Sequence, residues 1–95
     1  MLGYTNVYAP ILDVGRDQRW GRYEEVYGES PYLVAELGIE MVRGMQQDYQ
    51  VAATGKHFIA YSNNKGGREG MSRVDPQMSP HEVEMVHVYP FKRVI

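Results

Sequence analysis

Two Ser-Pro pairs, Ser30-Pro31 and Ser79-Pro80, constrain this chain more than any other feature. In each, a serine suited to capping a helix precedes a proline suited to its first turn, where a missing N–H has no intrahelical partner to lose. Each pair therefore marks a helix start. After the first, Leu33, Val34, Leu37, Met41, Val42 and Met45 recur at helical spacing, which predicts one apolar face on a helix over residues 31–46. After the second, Ser79-Pro80-His81-Glu82 reads as a capping box opening a helix that reaches about Val88. Pro90 is expected to interrupt that helix, with residues 91–95 beginning another helical stretch.

A short apolar run lies ahead of each helix. Residues 7–13, Val-Tyr-Ala-Pro-Ile-Leu-Asp, and residues 51–58, Val-Ala-Ala-Thr-Gly-Lys-His-Phe, read as strands buried on both faces. Pro10 cannot donate to a ladder and marks a bulge or the end of regular pairing. Strands joined through a helix pair in parallel with a right-handed crossover. The segments between strand and helix, residues 14–30 and 59–78, are long, polar and rich in charges of both signs. In (β/α)-barrels and open α/β sheets, loops at the C-terminal ends of parallel strands carry the site. The functional face is therefore expected beyond Asp13 and beyond Phe58. A complete barrel takes about 250 residues. The 95 residues here provide about two of its eight units, so the chain is expected to be part of a longer protein. The fold class expected is α/β, a partial (β/α)8 TIM-barrel of about two β/α units.

Composition narrows the function. The chain is 43% hydrophobic and 23% charged, the balance of a globular segment. A net charge of −2 argues against nucleic acid or an anionic membrane as a main partner. No apolar run is long enough to span a bilayer, and the first residues lack the regions of a signal peptide. There is no cysteine, which removes disulfides and thiolate metal sites without fixing the compartment. Eight tyrosines and one tryptophan against two phenylalanines supply flat faces with polar tips, useful against the C–H patches of sugar rings and equally common at half-buried positions.

Several groups of residues could carry chemistry. In the first loop, Arg22 follows Trp20-Gly21, and a guanidinium fork can bridge two vicinal hydroxyls or pair with a carboxylate. Gly21 is expected to allow a tight turn beside the indole. Lys56 and His57 close the second strand; lysine donates to hydroxyls, and neutral histidine both donates and accepts. Neighbours in a regular strand point to opposite faces, so both reach one ligand only where the strand ends or twists. The alternative places Lys56 at the rim and His57 in the core between sheet and helices. His81 and His87 are six residues apart and share no helical face, and no metal-ligand spacing occurs, so neither a metal nor a cofactor is expected. Lys65-Gly66-Gly67-Arg68 could cradle a phosphate but fits no P-loop. Asp13, Glu24, Glu25 and Glu29 are the carboxylates near the first loop, and sequence spacing does not make any two of them a catalytic pair.

Six strings in register resemble the N-terminal domain of glycoside hydrolase family 3. They are Ala-Pro-Ile-Leu-Asp-Val at residues 9–14, Arg-Asp-Gln-Arg-Trp-Gly-Arg at 16–22 and Tyr-Gly-Glu-Ser-Pro-Tyr-Leu at 27–33. Arg43-Gly44-Met45-Gln46, Lys56-His57-Phe58 and Pro90-Phe91-Lys92 complete the set. The resemblance implies a fragment, residues 1–95, of that family's (β/α)-barrel domain. It implies a retaining, exo-acting β-glycosidase of the β-glucosidase or β-xylosidase type. In such enzymes the residues matching Arg22, Lys56 and His57 bind the sugar where cleavage occurs. The nucleophilic aspartate and the acid/base glutamate would both lie beyond Ile95, so no catalytic residue is expected in this segment. The implied partners are a β-linked glucoside or xyloside, the rest of the barrel and a second domain. A periplasmic or secreted setting would suit such an enzyme. Ser30 stands where an aspartate is common, and both cap helices well. Ile59-Ala60-Tyr61-Ser62 replaces the Pro-Gly-His-Gly-like sequence of the N-acetylglucosaminidase branch. Two other functions fit parts of the pattern: a non-catalytic sugar-binding or interaction protein of the same fold, and a phosphate-binding unit using residues 65–68.

Overall fold

A computed structural model describes residues 3–49, 51–62, 75 and 77–95. The apolar runs pair as expected, but briefly. Strand β1 (Asn6–Val7) lies parallel to β2 (Ala52–Ala53), with Asn6 opposite Ala52 and Val7 opposite Ala53. Pairing then lapses and resumes at a single parallel bridge between Ile11 and Lys56. Four residue steps separate the pairs on the first strand and three on the second, so the first strand carries one extra residue. That is a bulge, and it falls at Tyr8-Ala9-Pro10, where Pro10 has no N–H and the Ala9–Pro10 peptide is cis. Thr54 bridges the gap by donating its backbone N–H towards the carbonyls of both Val7 (3.0 Å) and Ala9 (2.8 Å). The strands are thus shorter than the apolar runs 7–13 and 51–58 suggest.

Helix α1 (Pro31–Gln46) has the expected bounds. The Ser30 hydroxyl accepts the backbone N–H of Leu33 at 3.3 Å, and Pro31 occupies the first turn. Its inward face differs from the expected stripe. Val34, Ala35 and Gly38 are buried, whereas Leu33, Leu37 and Met41 are exposed. An apolar row at i, i+4 and i+8 winds away from a narrow contact, and small residues let α1 come close to its neighbours. Leu12 shows how close: its two methyl groups lie only 2.6 Å and 2.9 Å from where Cβ atoms at Gly38 and Gly55 would stand.

The second Ser-Pro pair also opens a helix. Ser79 Oγ accepts the backbone N–H of Glu82 at 3.1 Å. The expected break at Pro90 does not occur. Helix α2 (Pro80–Glu82) runs into a π-helical stretch, Val83–Val88, and then into helix α3 (Tyr89–Val94). A proline ring inside an α-helix collides with the carbonyl four residues earlier. The wider π turns immediately before Pro90 change the hydrogen-bond register there, so the axis continues. Pro90 and Phe91 are buried, and α3 packs on α1. Arg93 and Glu36 pair across the two helices at 2.8 Å.

Leu12, Val14, Val34 and Phe91 form the core, with Tyr27, Val86 and Val94 against it. Burying each large apolar side chain contributes about 1.5–3 kcal/mol. The architecture is an α/β fragment in which two strand ends, Leu12-Asp13 and Lys56-His57, are held side by side beneath two loops: Leu12 donates its backbone N–H to the Lys56 carbonyl at 2.6 Å.

Candidate functional site

The first loop folds back on itself. Gly15 donates its backbone N–H to the Gly28 carbonyl at 2.8 Å, closing residues 15–28 into a compact turn-rich loop. Gly28 adopts φ 149°, a region that disfavours other residues. Gly21 lies in the tight turn expected beside the indole, without a positive φ: Tyr23 donates its backbone N–H to the Trp20 carbonyl at 3.0 Å across Gly21-Arg22, and Trp20 donates to the Asp17 carbonyl at 3.1 Å. The Asp17 carboxylate accepts the backbone N–H and guanidinium of Arg19, which holds its pKa down to about 2. Trp20, 1% exposed, anchors the loop from inside.

Arg22 emerges beside that anchor, followed by a 3-10 turn, Tyr23–Glu25. Its guanidinium makes a two-bonded fork with Glu25, at 2.7 Å and 2.6 Å. The Glu25 carboxylate raises the pKa of Arg22 further, so its charge is permanent. Arg22 Nη1 also lies 3.1 Å from His57 Nε2, bringing together two residues 35 positions apart. The other ring nitrogen, His57 Nδ1, lies 2.7 Å from Asp13 Oδ2, which also accepts the backbone N–H of His57 at 3.2 Å. The result is a continuous chain, Glu25–Arg22–His57–Asp13, across the ends of both strands.

Tyr61 closes one side. Its ring meets His57 edge-on at 4.8 Å and Trp20 edge-on at 5.3 Å, and the Arg22 guanidinium carbon sits 5.7 Å from its centroid. Ser62, fully buried, donates to the Val14 carbonyl at 2.6 Å and ties the second loop to the first. Lys56 is the last residue in bridge register, and the peptides Lys56–His57 and Phe58–Ile59 are cis.

Of the expected site residues, Arg22 and His57 are in contact and Lys56 adjoins His57 in the chain. His57 is not in the core between sheet and helices: its side chain keeps 28% exposure while Asp13 beneath it keeps 1%. Sequence reasoning placed Asp13 and Glu25 among loose carboxylates; each is instead committed to a neighbour in the site. Asp13 comes near His57 because the parallel register sets Ile11 beside Lys56, a pairing that exists only in the folded chain. Glu29 accepts from the Tyr23 hydroxyl at 3.1 Å. His87, weighed only as a metal ligand, is buried in the π stretch, and that burial lowers its pKa. The phosphate-cradle expectation at residues 65–68 lies outside the described residues. Chemically, the arrangement offers cationic donors and an imidazole at a half-open loop edge, suited to orienting a polyhydroxylated ligand.

The model for the glycosyl hydrolase family 3 N terminal domain matches residues 1–95. The chain belongs to glycosyl hydrolase family 3. It is 38% identical over 102 aligned positions to a β-xylosidase from Formosa agariphila, covering 99% of this chain and 14% of that protein. It is 43% identical over 72 positions to a periplasmic β-glucosidase from Salmonella typhimurium, covering 70% of this chain and 9% of that one. Among solved structures, a β-glucosidase from Listeria innocua superposes with a TM-score of 0.84 at 36% identity, over 98% of this chain and 14% of that one. The family 3 segment described here thus spans a small part of the relatives it matches, and its α/β architecture recurs within them.

Proposed function

We propose that this family 3 segment forms the sugar-binding edge of a retaining, exo-acting β-glycosidase that hydrolyses β-glucosides or β-xylosides. In this reading it is two β/α units of a (β/α)8 barrel, and Arg22, Lys56 and His57 hold the sugar in the subsite where cleavage occurs. The observation that carries the reading is the 3.1 Å contact between Arg22 and His57 at adjoining parallel strand ends. Arg22 and Lys56 bring positive donors, while His57 brings a ring that is braced below and half-open above. The relatives named as a β-xylosidase and β-glucosidases support this substrate class.

The catalytic pair is assigned to the remainder of the enzyme. Retaining hydrolysis needs two carboxyl groups about 5–5.5 Å apart, one to attack the anomeric carbon and one to protonate the leaving oxygen. Asp13 is buried against His57, Glu25 is forked onto Arg22 and Glu29 takes the Tyr23 hydroxyl, so these three serve the site's own framework.

The test places residues 1–95 in the Listeria innocua β-glucosidase in exchange for the stretch they match. With aryl β-glucoside or β-xyloside as substrate, Lys56→Ala is expected to lower kcat/KM by about ten- to a hundredfold, the loss of one charged hydrogen bond of roughly 1.5–3 kcal/mol. Unchanged kcat/KM in both Lys56→Ala and His57→Ala would refute the assignment.

A further inference from the structure

The geometry assigns a role to Asp13: we propose that it is a positioning residue whose buried carboxylate holds His57 in the Nδ1–H tautomer, so that Nε2 accepts from Arg22 and fixes the guanidinium at the sugar site. The proposal rests on the sugar-binding reading above and adds to it how Arg22 is held.

Donor and acceptor logic fixes the ring. Asp13 Oδ2 receives the backbone N–H of His57 at 3.2 Å, and a main-chain N–H only donates, so Oδ2 is an acceptor. Nδ1, 2.7 Å from the same oxygen, must then carry a hydrogen. On the far side Nε2 faces Arg22 Nη1 at 3.1 Å, and a guanidinium has no lone pair to offer. Nε2 therefore presents its own lone pair. Only the neutral ring with hydrogen on Nδ1 satisfies both contacts. The other tautomer would set a lone pair against a carboxylate and an N–H against a guanidinium.

Two further observations make this a fixed setting. The Asp13 side chain is 1% exposed, so water does not compete for Oδ2. Arg22 is pinned by its fork with Glu25, so it does not swing away from Nε2. Second-contact partners of this kind set which ring nitrogen of a histidine is active.

The first test is nitrogen NMR of the histidine-labelled 95-residue chain, with His57 assigned by the loss of its signals in His57→Gln. The wild-type ring is expected to show a protonated Nδ1 and an unprotonated Nε2. Asp13→Leu is expected to move the ring toward the Nε2–H form, and Asp13→Asn, which keeps an acceptor oxygen, to recover part of the Nδ1–H population. In the Listeria chimera, Asp13→Leu should lower kcat/KM by about ten- to a hundredfold, chiefly through KM, with Asp13→Asn intermediate. A wild-type ring in the Nε2–H form overturns the proposal. So does an Asp13→Leu chimera that loses activity while the labelled chain with that substitution keeps the Nδ1–H signal, because the loss would then be structural. Failure of the sugar-binding reading is told apart by the His57→Ala and Lys56→Ala chimeras: if both stay fully active the site is wrong, whatever the ring shows.

Discussion

His87 illustrates how one buried side chain ties stability to pH. It sits 2% exposed in the π stretch, and its Nε2 has no hydrogen-bond partner among the described residues. Burial lowers its pKa from 6.5; the Arg16 charge adds to the lowering, and Glu82 and Asp13 oppose it. Because the folded-state pKa is depressed, the unfolded chain binds the proton more readily. The stability that a neutral His87 supports is complete above the unfolded value near 6.5 and is lost as pH falls from there through the folded value. The urea midpoint of the chain at low micromolar concentration is therefore expected to drop between pH 7.5 and 5.5. His87→Gln, which does not titrate, should flatten that part of the profile. An equal slope in both proteins would show that other groups carry it. At the same scale, histidine count and spacing said only that His87 was a poor metal ligand, because burial is a property of packing.

At the scale of elements, the contact of α1 with the strand ends depends on the absence of side chains. A Cβ at Gly38 would stand 2.6 Å from Leu12 Cδ2 and 3.3 Å from Val94 Cγ2. Leu12 cannot yield, since its other methyl already fills the space above Gly55 and the side chain is fully buried. Gly38→Ala is thus expected to destabilise the chain by about 1–3 kcal/mol from overpacking, despite alanine's better helix propensity. Gly44 lies in the same helix with open space around it, so Gly44→Ala should stabilise by about 0.5–1 kcal/mol. Urea unfolding of the two variants checks the contrast. A gain in both would mean that α1 stands further from Leu12 than described.

For the whole molecule, the outward row Leu33, Leu37 and Met41 on α1 is over two-fifths exposed, and Tyr4 and Tyr8 by the first strand are more open still, at 69% and 73%. Regular pairing covers only two residues per strand, which leaves backbone groups open at both sheet edges. The chain on its own is expected to self-associate as concentration rises, read as a concentration-dependent mass in sedimentation. A constant monomer mass would contradict this. It is also expected to release no aglycone from aryl β-glucoside or β-xyloside above the buffer rate, since one engaged set of carboxylates does not make a catalytic pair. Release abolished by Glu25→Gln or Asp13→Asn would move the catalytic groups into this segment.

The sequence by itself determined the features that are local in cause. Ser-Pro pairs fix both helix starts, because capping and the missing proline N–H act within one turn. The order of strand, helix and strand implied parallel pairing, and Pro10 placed the bulge. Six strings in register, among them those around Trp20-Gly21-Arg22 and Lys56-His57, were enough to name the family. Tertiary structure alone decided the rest. Which face of α1 turns inward was set by close approach at Gly38 rather than by the apolar row. Pro90 continues a helix because π turns before it open the register, a choice made by packing on α1. The pairing of Asp13 with His57, and of His57 with Arg22, depends on contacts 44 and 35 residues apart in the chain. Such contacts leave no local mark on the sequence, because hydrogen-bond geometry between distant residues is fixed only once the strands stand side by side.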